Sequence, residues 1–187
     1  MNIKSLTGLA AVSFLLACQS DFYQIDGYAK DFKNGDTICL ISDNSPAIIR
    51  QQTIVENGKF YFSGHTDAIR FCTVYVKHEP ASKASLFLEP GHVAVELHPY
   101  PALSRVSGTR INNTWQQLAD SVEMLSKGIF EIMHHPAISA AEQAEHARTV
   151  DSLHRRMSDC ILNTAQRNRD NPLGRYIEDH YKAPEFK

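Results

Sequence analysis

The first half of the chain carries apolar residues in short runs separated by Gly, Pro, Asn and Asp. From Asn112 onward they recur at every third or fourth position. The first pattern predicts strands. Phe22 to Ala29 is one candidate, and Asn34-Gly35-Asp36 turns the chain into Thr37 to Ile41. Asp43-Asn44-Ser45-Pro46 breaks that run, and Ala47 to Glu56 leads to Asn57-Gly58. Asn-Gly accepts positive φ at both turn positions, which makes it the strongest short-range hairpin signal. Lys59 to Gly64 follows it, with Phe60 and Phe62 predicted to face inward. Ile69 to Val76 is rich in β-branched and aromatic residues, as strands are. Ser85 to Leu88 and His92 to Leu97 flank Glu89-Pro90-Gly91, whose Pro and Gly fit a type II turn. Arg105 to Gly108 adds a last short strand. Short strands joined by tight turns predict an antiparallel β-sandwich or open barrel over residues 22–109.

The second pattern predicts helices. Trp115, Leu118, Val122, Leu125, Ile129 and Ile132 form one stripe whose spacings alternate between three and four. That average suits packing on a partner helix. Asn112 or Asn113 is expected to cap the start, and His134-His135-Pro136 ends the helix, because Pro disfavours helical backbone at the residue before it. Ser139-Ala140-Ala141-Glu142 has the form of a capping box. Val150, Leu153, Met157 and Cys160 continue the second stripe, opposite a heavily charged face. Two such helices with a short connection make an antiparallel hairpin. Each spans roughly 30–45 Å at the α-helical rise, enough to project beyond the strands. Asn171-Pro172 starts a short helix reaching about Tyr181. The chain therefore reads as α+β. Residues 22–109 form a β-rich domain and residues 110–187 a helical spacer, with the boundary between Gly108 and Asn113.

Residues 1–17 read as a signal peptide. Lys4 supplies a positive charge ahead of the apolar run Leu6 to Ala17. That run is shorter than the about 20 residues a bilayer span needs, and no second run of that length occurs. Leu15-Leu16-Ala17-Cys18 resembles the bacterial lipobox, so Cys18 is expected to carry lipid and residues 18–21 to form the tether. Several acyl chains at one cysteine suffice for stable anchoring. Gln19 in place of Asp after the cysteine resembles outer-membrane sorting. A soluble secreted product is the alternative that fits the same leader pattern.

The formal net charge is −2, so no basic excess points to nucleic acid. Cys39, Cys72 and Cys160 remain beside Cys18. An oxidising compartment leaves a Cys39–Cys72 bridge open, although isolated cysteines in odd number read better as small buried hydrophobes. No Cys-x-x-Cys occurs. Glu131 with His134, and Glu142 with His146, place ligand types near the hairpin tip. The set falls short of a di-iron arrangement, and a solvated helix end is the better reading. His92 and His98 are expected at strand ends near water. Ser104, Ser107 and Ser121 lack a Gly-x-Ser-x-Gly setting. No phosphate-binding Gly loop is found, and Tyr61, Tyr75 and Trp115 read as core or rim. No catalytic residue, metal or cofactor is assigned. A triad is assembled in space, so a hydrolase remains a third option behind the two readings below.

The pieces Asp26-Gly27-Tyr28, Asn34-Gly35-Asp36 and Val55 to Gly64 recur in a family pattern, together with Phe87-Leu88-Glu89-Pro90-Gly91-His92-Val93 and Val106 to Asn112. Taken with Asn171 to Tyr176, the chain resembles the domain of unknown function that precedes thioredoxin-like modules in exported TlpA/ResA-type thiol:disulfide proteins. The resemblance covers residues 22–181. It implies a β-rich domain and helical spacer on a lipoprotein, and no activity. The chain stops at Lys187, where the thioredoxin module is expected to begin, so the redox dithiol maps to no residue here. The leading expectation is a lipid-anchored, non-enzymatic binding or scaffold module in the cell envelope. It would have the membrane as one partner through Cys18 and a protein as another. The alternative is an accessory to an envelope thiol:disulfide system.

Overall fold

A computed structural model describes residues 21–42 and 50–181, with Arg50 described in its backbone alone. The leader, Cys18 and the Asp43-to-Pro46 break lie outside the described residues. Two four-stranded sheets face each other and do not close into a barrel. The first has the order β4 (Lys59–His65), β1 (Phe22–Tyr28), β7 (Gly91–Glu96), β8 (Arg105–Ser107). The second has the order β3 (Arg50–Ile54), β2 (Thr37–Ser42), β5 (Arg70–Val76), β6 (Glu79–Leu88). Helices α1 (Arg110–Met133), α2 (Ala140–Arg167) and α3 (Pro172–His180) complete the α+β chain.

Asn57-Gly58 forms its turn, with φ of 52° and 71°. Glu56 and Lys59 close it by exchanging both backbone hydrogen bonds. The expected hairpin ladder stops there, because β3 pairs with β2 and β4 pairs with β1 in the other sheet. The turn is thus a corner between layers. β3 carries Gln51, Gln52 and Thr53 along the edge of its sheet, whereas Phe60 and Phe62 of β4 enter the core. Glu89-Pro90-Gly91 is likewise a corner between β6 and β7, with Gly91 at φ 120°. Because the chain changes sheets at such corners, β1 and β7 meet from distant segments and run parallel, an exception to the antiparallel expectation. β6 begins at Glu79, ahead of the expected Ser85, and includes Pro80. It is an edge strand, where a missing N–H is tolerated.

The space between the sheets is filled by Tyr23, Ile25, Ile38, Leu40, Phe60, Val74, Leu86 and Val93, all nearly fully buried. Gly27 fits this packing. A Cβ there would fall 2.1 Å from the Phe60 ring, which occupies its place. Cys72 lies in the same core, opposite Ser42. Cys39 is three positions along β2 from Ser42, an odd offset, so its side chain leaves the opposite face of the sheet. That alternation decides against a Cys39–Cys72 bridge, and both cysteine side chains are buried.

A second core forms on the outer side of β5 and β6. Phe71 and Phe87 stand opposite each other there, under Ile111 and Leu118 of α1 and Leu173 and Ile177 of α3. Trp115 packs against both cores and donates its indole N–H to the Ser85 carbonyl at 3.0 Å. The expected α1 stripe faces inward, with Leu118, Leu125 and Ile129 buried. Its partner residues on α2, Val150, Leu153, Met157 and Cys160, are half-buried. In α2 only Ala165 is fully buried, and its main contacts are with α1 and α3.

Ser139 caps α2 as expected, accepting from the Glu142 amide at 3.2 Å. Glu142 reaches back to the Ile138 amide rather than to that of Ser139. Asn171 caps α3 through the Leu173 and Gly174 amides. Gly174 is required there, since a Cβ would fall 2.2 Å from the Asn168 carbonyl oxygen. The start of α1 departs from expectation. Thr109 is the cap, and Asn112 is completely buried one turn in.

Candidate functional site

Asn112 is buried because it acts as a backbone surrogate for the edge of the second sheet. Its Oδ1 accepts the Phe87 N–H at 2.8 Å, and its Nδ2 donates to the Phe87 carbonyl at 2.7 Å. One turn on, Gln116 Oε1 accepts the Val106 N–H of β8, the edge of the first sheet, at 2.8 Å. Another turn on, both carboxylate oxygens of Asp120 accept from Nη1 of Arg105 at 3.0 Å. Asn112, Gln116 and Asp120 stand at spacings of four, so they share one side of α1. That polar stripe satisfies backbone groups at two sheet edges that would otherwise stay open. It fixes the direction of the helix relative to both layers.

Two of the segments that carried the family resemblance meet at this joint. Gly108, at φ 112°, lies where a Cβ would sit 2.3 Å from the His92 carbonyl oxygen. Thr109 Oγ1 accepts from Asn112 Nδ2 at 2.8 Å. Glu89 approaches the same cap, where the Thr109 hydroxyl and the Ile111 amide offer it hydrogen bonds that favour its charged form. Burial outweighs them and pushes the carboxyl above the ordinary glutamate value. Its Oε1 is buried with no hydrogen-bond partner among the described residues.

Beyond the sheet edges the same side of α1 is uncovered. An apolar groove of about 710 Å³ runs there. It is lined by Pro101 and Leu103 between β7 and β8, by Ala119, Val122 and Phe130 of α1, by Ile161 of α2 and by Tyr181 after α3. Leu103 and Phe130 are each more than half exposed. Glu123 and Lys127 line its rim. The groove arises because α1 is longer than the layers it seals. Ala119 and Ser126 repeat the heptad position of Asn112: Ala119 sits beside Asp120, which still reaches Arg105 at the β8 edge, and Ser126, two turns on, is exposed.

The residues weighed from sequence do not converge on a second centre. His92 pairs with Asp26 at 3.7 Å and His98 with Asp31 at 3.3 Å, on separate carboxylates. Ser104 accepts from the backbone amide of His98, so its contact is with the main chain rather than the imidazole that a triad uses. Ser121 donates to the Gln117 carbonyl. His134 turns its Nδ1 to the Phe130 carbonyl, and Glu142 is occupied at the α2 start. Among the described residues no three His, Cys, Asp or Glu side chains group as a metal site, and no helix is long and apolar enough to cross a membrane. Tyr61 is exposed, while Tyr75 and Trp115 are half-buried. Neither the groove nor the polar stripe was anticipated from sequence. The stripe had a signal, the four-residue spacing of Asn112, Gln116 and Asp120.

Residues 23–115 match the family described as Domain of unknown function (DUF4369). The match takes in the eight strands apart from Phe22 at the start of β1, and ends at Trp115, just past Asn112. No curated protein matches the chain.

Proposed function

We propose that the protein is a lipid-anchored, non-enzymatic binding or scaffold module of the cell envelope, tethered through Cys18 at the outer membrane and engaging a protein partner through the groove beside α1. The observation that carries the binding part is the groove itself. It is a concave, largely apolar surface rimmed by single charges, on a helix whose direction is fixed by buried hydrogen bonds. Exposed apolar surface of that kind marks contact sites on folded proteins. What supports the anchor is the leader ending in Leu15-Leu16-Ala17-Cys18. The thiol:disulfide alternative gains no support from Cys39 and Cys72, which are both buried and lie on opposite faces of one sheet.

The anchor is tested by Cys18→Ala. The variant is expected to leave the membrane fraction and to lose labelling by a fatty-acid analogue. Labelling equal to that of the unaltered protein discards the anchor. The groove is tested by a photo-crosslinking side chain placed at Ala119 in cells. Adducts with a protein partner are expected, and a position that never crosslinks to protein removes the docking reading.

A further inference from the structure

The groove face of α1 is complementary to itself when reversed. Reading along it, Ala119 leaves a hollow beside Leu103, Glu123 and Lys127 follow one turn apart on the rim, and Phe130 stands out as a knob that is 59% exposed. Glu123 and Lys127 are equidistant from position 125, and so, to within one residue, are Ala119 and Phe130. An isologous contact requires such a relation, because residue i of one copy meets residue j of the other and j meets i.

We infer that a second copy of this chain occupies the groove, with the two α1 helices antiparallel about a two-fold axis near position 125. The inference rests on the groove being a docking surface and names its occupant. In this arrangement Phe130 of each copy enters the hollow over Ala119 of the other, some 16 Å along the helix by the α-helical rise. Glu123 of each copy faces Lys127 of the other, so two ion pairs form side by side on one flank of the contact. Ser126 lies close to the axis and lets the helices approach closely. The half of α1 that has outrun its own sheets thereby lies against the half that the partner's sheets support. The contact is one helix face and a loop wide, at the small end of the interface range, so a reversible dimer is expected rather than an obligate one.

Charge reversal separates this occupant from others. Sedimentation velocity over a concentration series on the chain lacking its leader is expected to show a monomer–dimer equilibrium. Glu123→Lys places like charges at both pairs and is expected to weaken it about tenfold, since like-charge juxtaposition across an interface is costly. Lys127→Glu alone does the same. The double variant E123K/K127E is expected to restore affinity to within about twofold, because the pairs are regained with their signs exchanged and coupling between contacting residues is non-additive. Phe130→Ala is expected to weaken the dimer without altering the circular dichroism, since the side chain is exposed. A monomer at all concentrations overturns the inference, as does a dimer insensitive to the charge series. If Ala119 then crosslinks to a different protein, or to residues 182–187 of its own chain, the occupant is reassigned. If it crosslinks to nothing, the docking reading falls as well.

Discussion

The sandwich and the helical extension are held by different means. Between the sheets, side chain after side chain has essentially no exposure, from Tyr23 and Ile25 through Phe60 to Leu86 and Val95. α2 runs for 28 residues and buries one of them fully. The sandwich is stabilised by area removed from water, spread over many contacts. The extension depends on a few connections: the helix–helix stripe, the aromatic group of Phe71, Phe87, Trp115 and Tyr176, and the side-chain clamps on the sheet edges. A fold divided in this way keeps its architecture in one region and leaves the other with surface to spare for partners.

The sharpest way to break that contrast is at the aromatic group, where the regions meet. Phe87 is buried and touches Phe71, Trp115 and Tyr176 edge-on. Phe87→Ala is expected to cost about 3–5 kcal/mol, the range for a large aromatic removed from a packed core. Urea denaturation measures it, and hydrogen exchange is expected to show α1 and α3 losing protection before the strands. A loss below about 1 kcal/mol would mean that the helices are held elsewhere.

A smaller change tests the polar half of the joint. Asn112→Ala leaves the Phe87 N–H and carbonyl without partners in a buried setting, which is expected to cost about 2–6 kcal/mol at 1–3 for each orphaned group. Gln116→Ala opens the Val106 amide at a part-buried bond, where Gln116 is itself half-exposed and water replaces it more readily, so about 1 kcal/mol is expected. Equal losses from the two substitutions would refute the view that the second-sheet edge is the deeper attachment.

The contrast also explains what could be read from the sequence. The stripe from Trp115 to Ile132 and the one from Val150 to Cys160 were legible because burial on a helix imposes a period that apolar residues must obey. The strands and the turns at Asn57-Gly58 and Pro90-Gly91 were legible from local backbone chemistry. Strand partners were not. A turn reverses the chain but does not say whether the next strand joins the same sheet, and at both corners it joins the other one. Asn112 and Asn113 both read as caps in the sequence, because Asn near a helix start usually serves the helix, but the cap is Thr109 and the buried residue is Asn112. Its side chain instead serves Phe87, 25 positions earlier, a long-range pairing with no local signature. The groove was hidden for a related reason. It exists only because the sheets end before α1 does, and a single chain's pattern does not reveal where distant strands stop.

The gentlest probe of the joint is pH. Burial raises the Glu89 carboxyl above its ordinary value of 4.5, against hydrogen bonds from Thr109 and Ile111. Folding therefore favours the protonated form. The stability Glu89 contributes is fully present below about 4.5 and is lost as pH rises through the folded-state value. Asp21 and Asp67 are lowered from 3.8 instead, by hydrogen bonds with His65 and Arg70, so their contributions are lost only in more acidic solution. Glu89→Gln removes the titration while keeping the shape of the side chain. Subtracting the variant's Tm from that of the unaltered protein cancels the groups common to both. The difference is expected to shift in favour of the unaltered protein as pH falls from neutral towards 4.5. Two Tm curves that stay parallel across that window would show that Glu89 is not desolvated at the α1 cap. The joint would then be wetter than the rest of the sandwich, and the boundary between the tightly buried region and the loosely held one would lie at the corner after β6 rather than within α1.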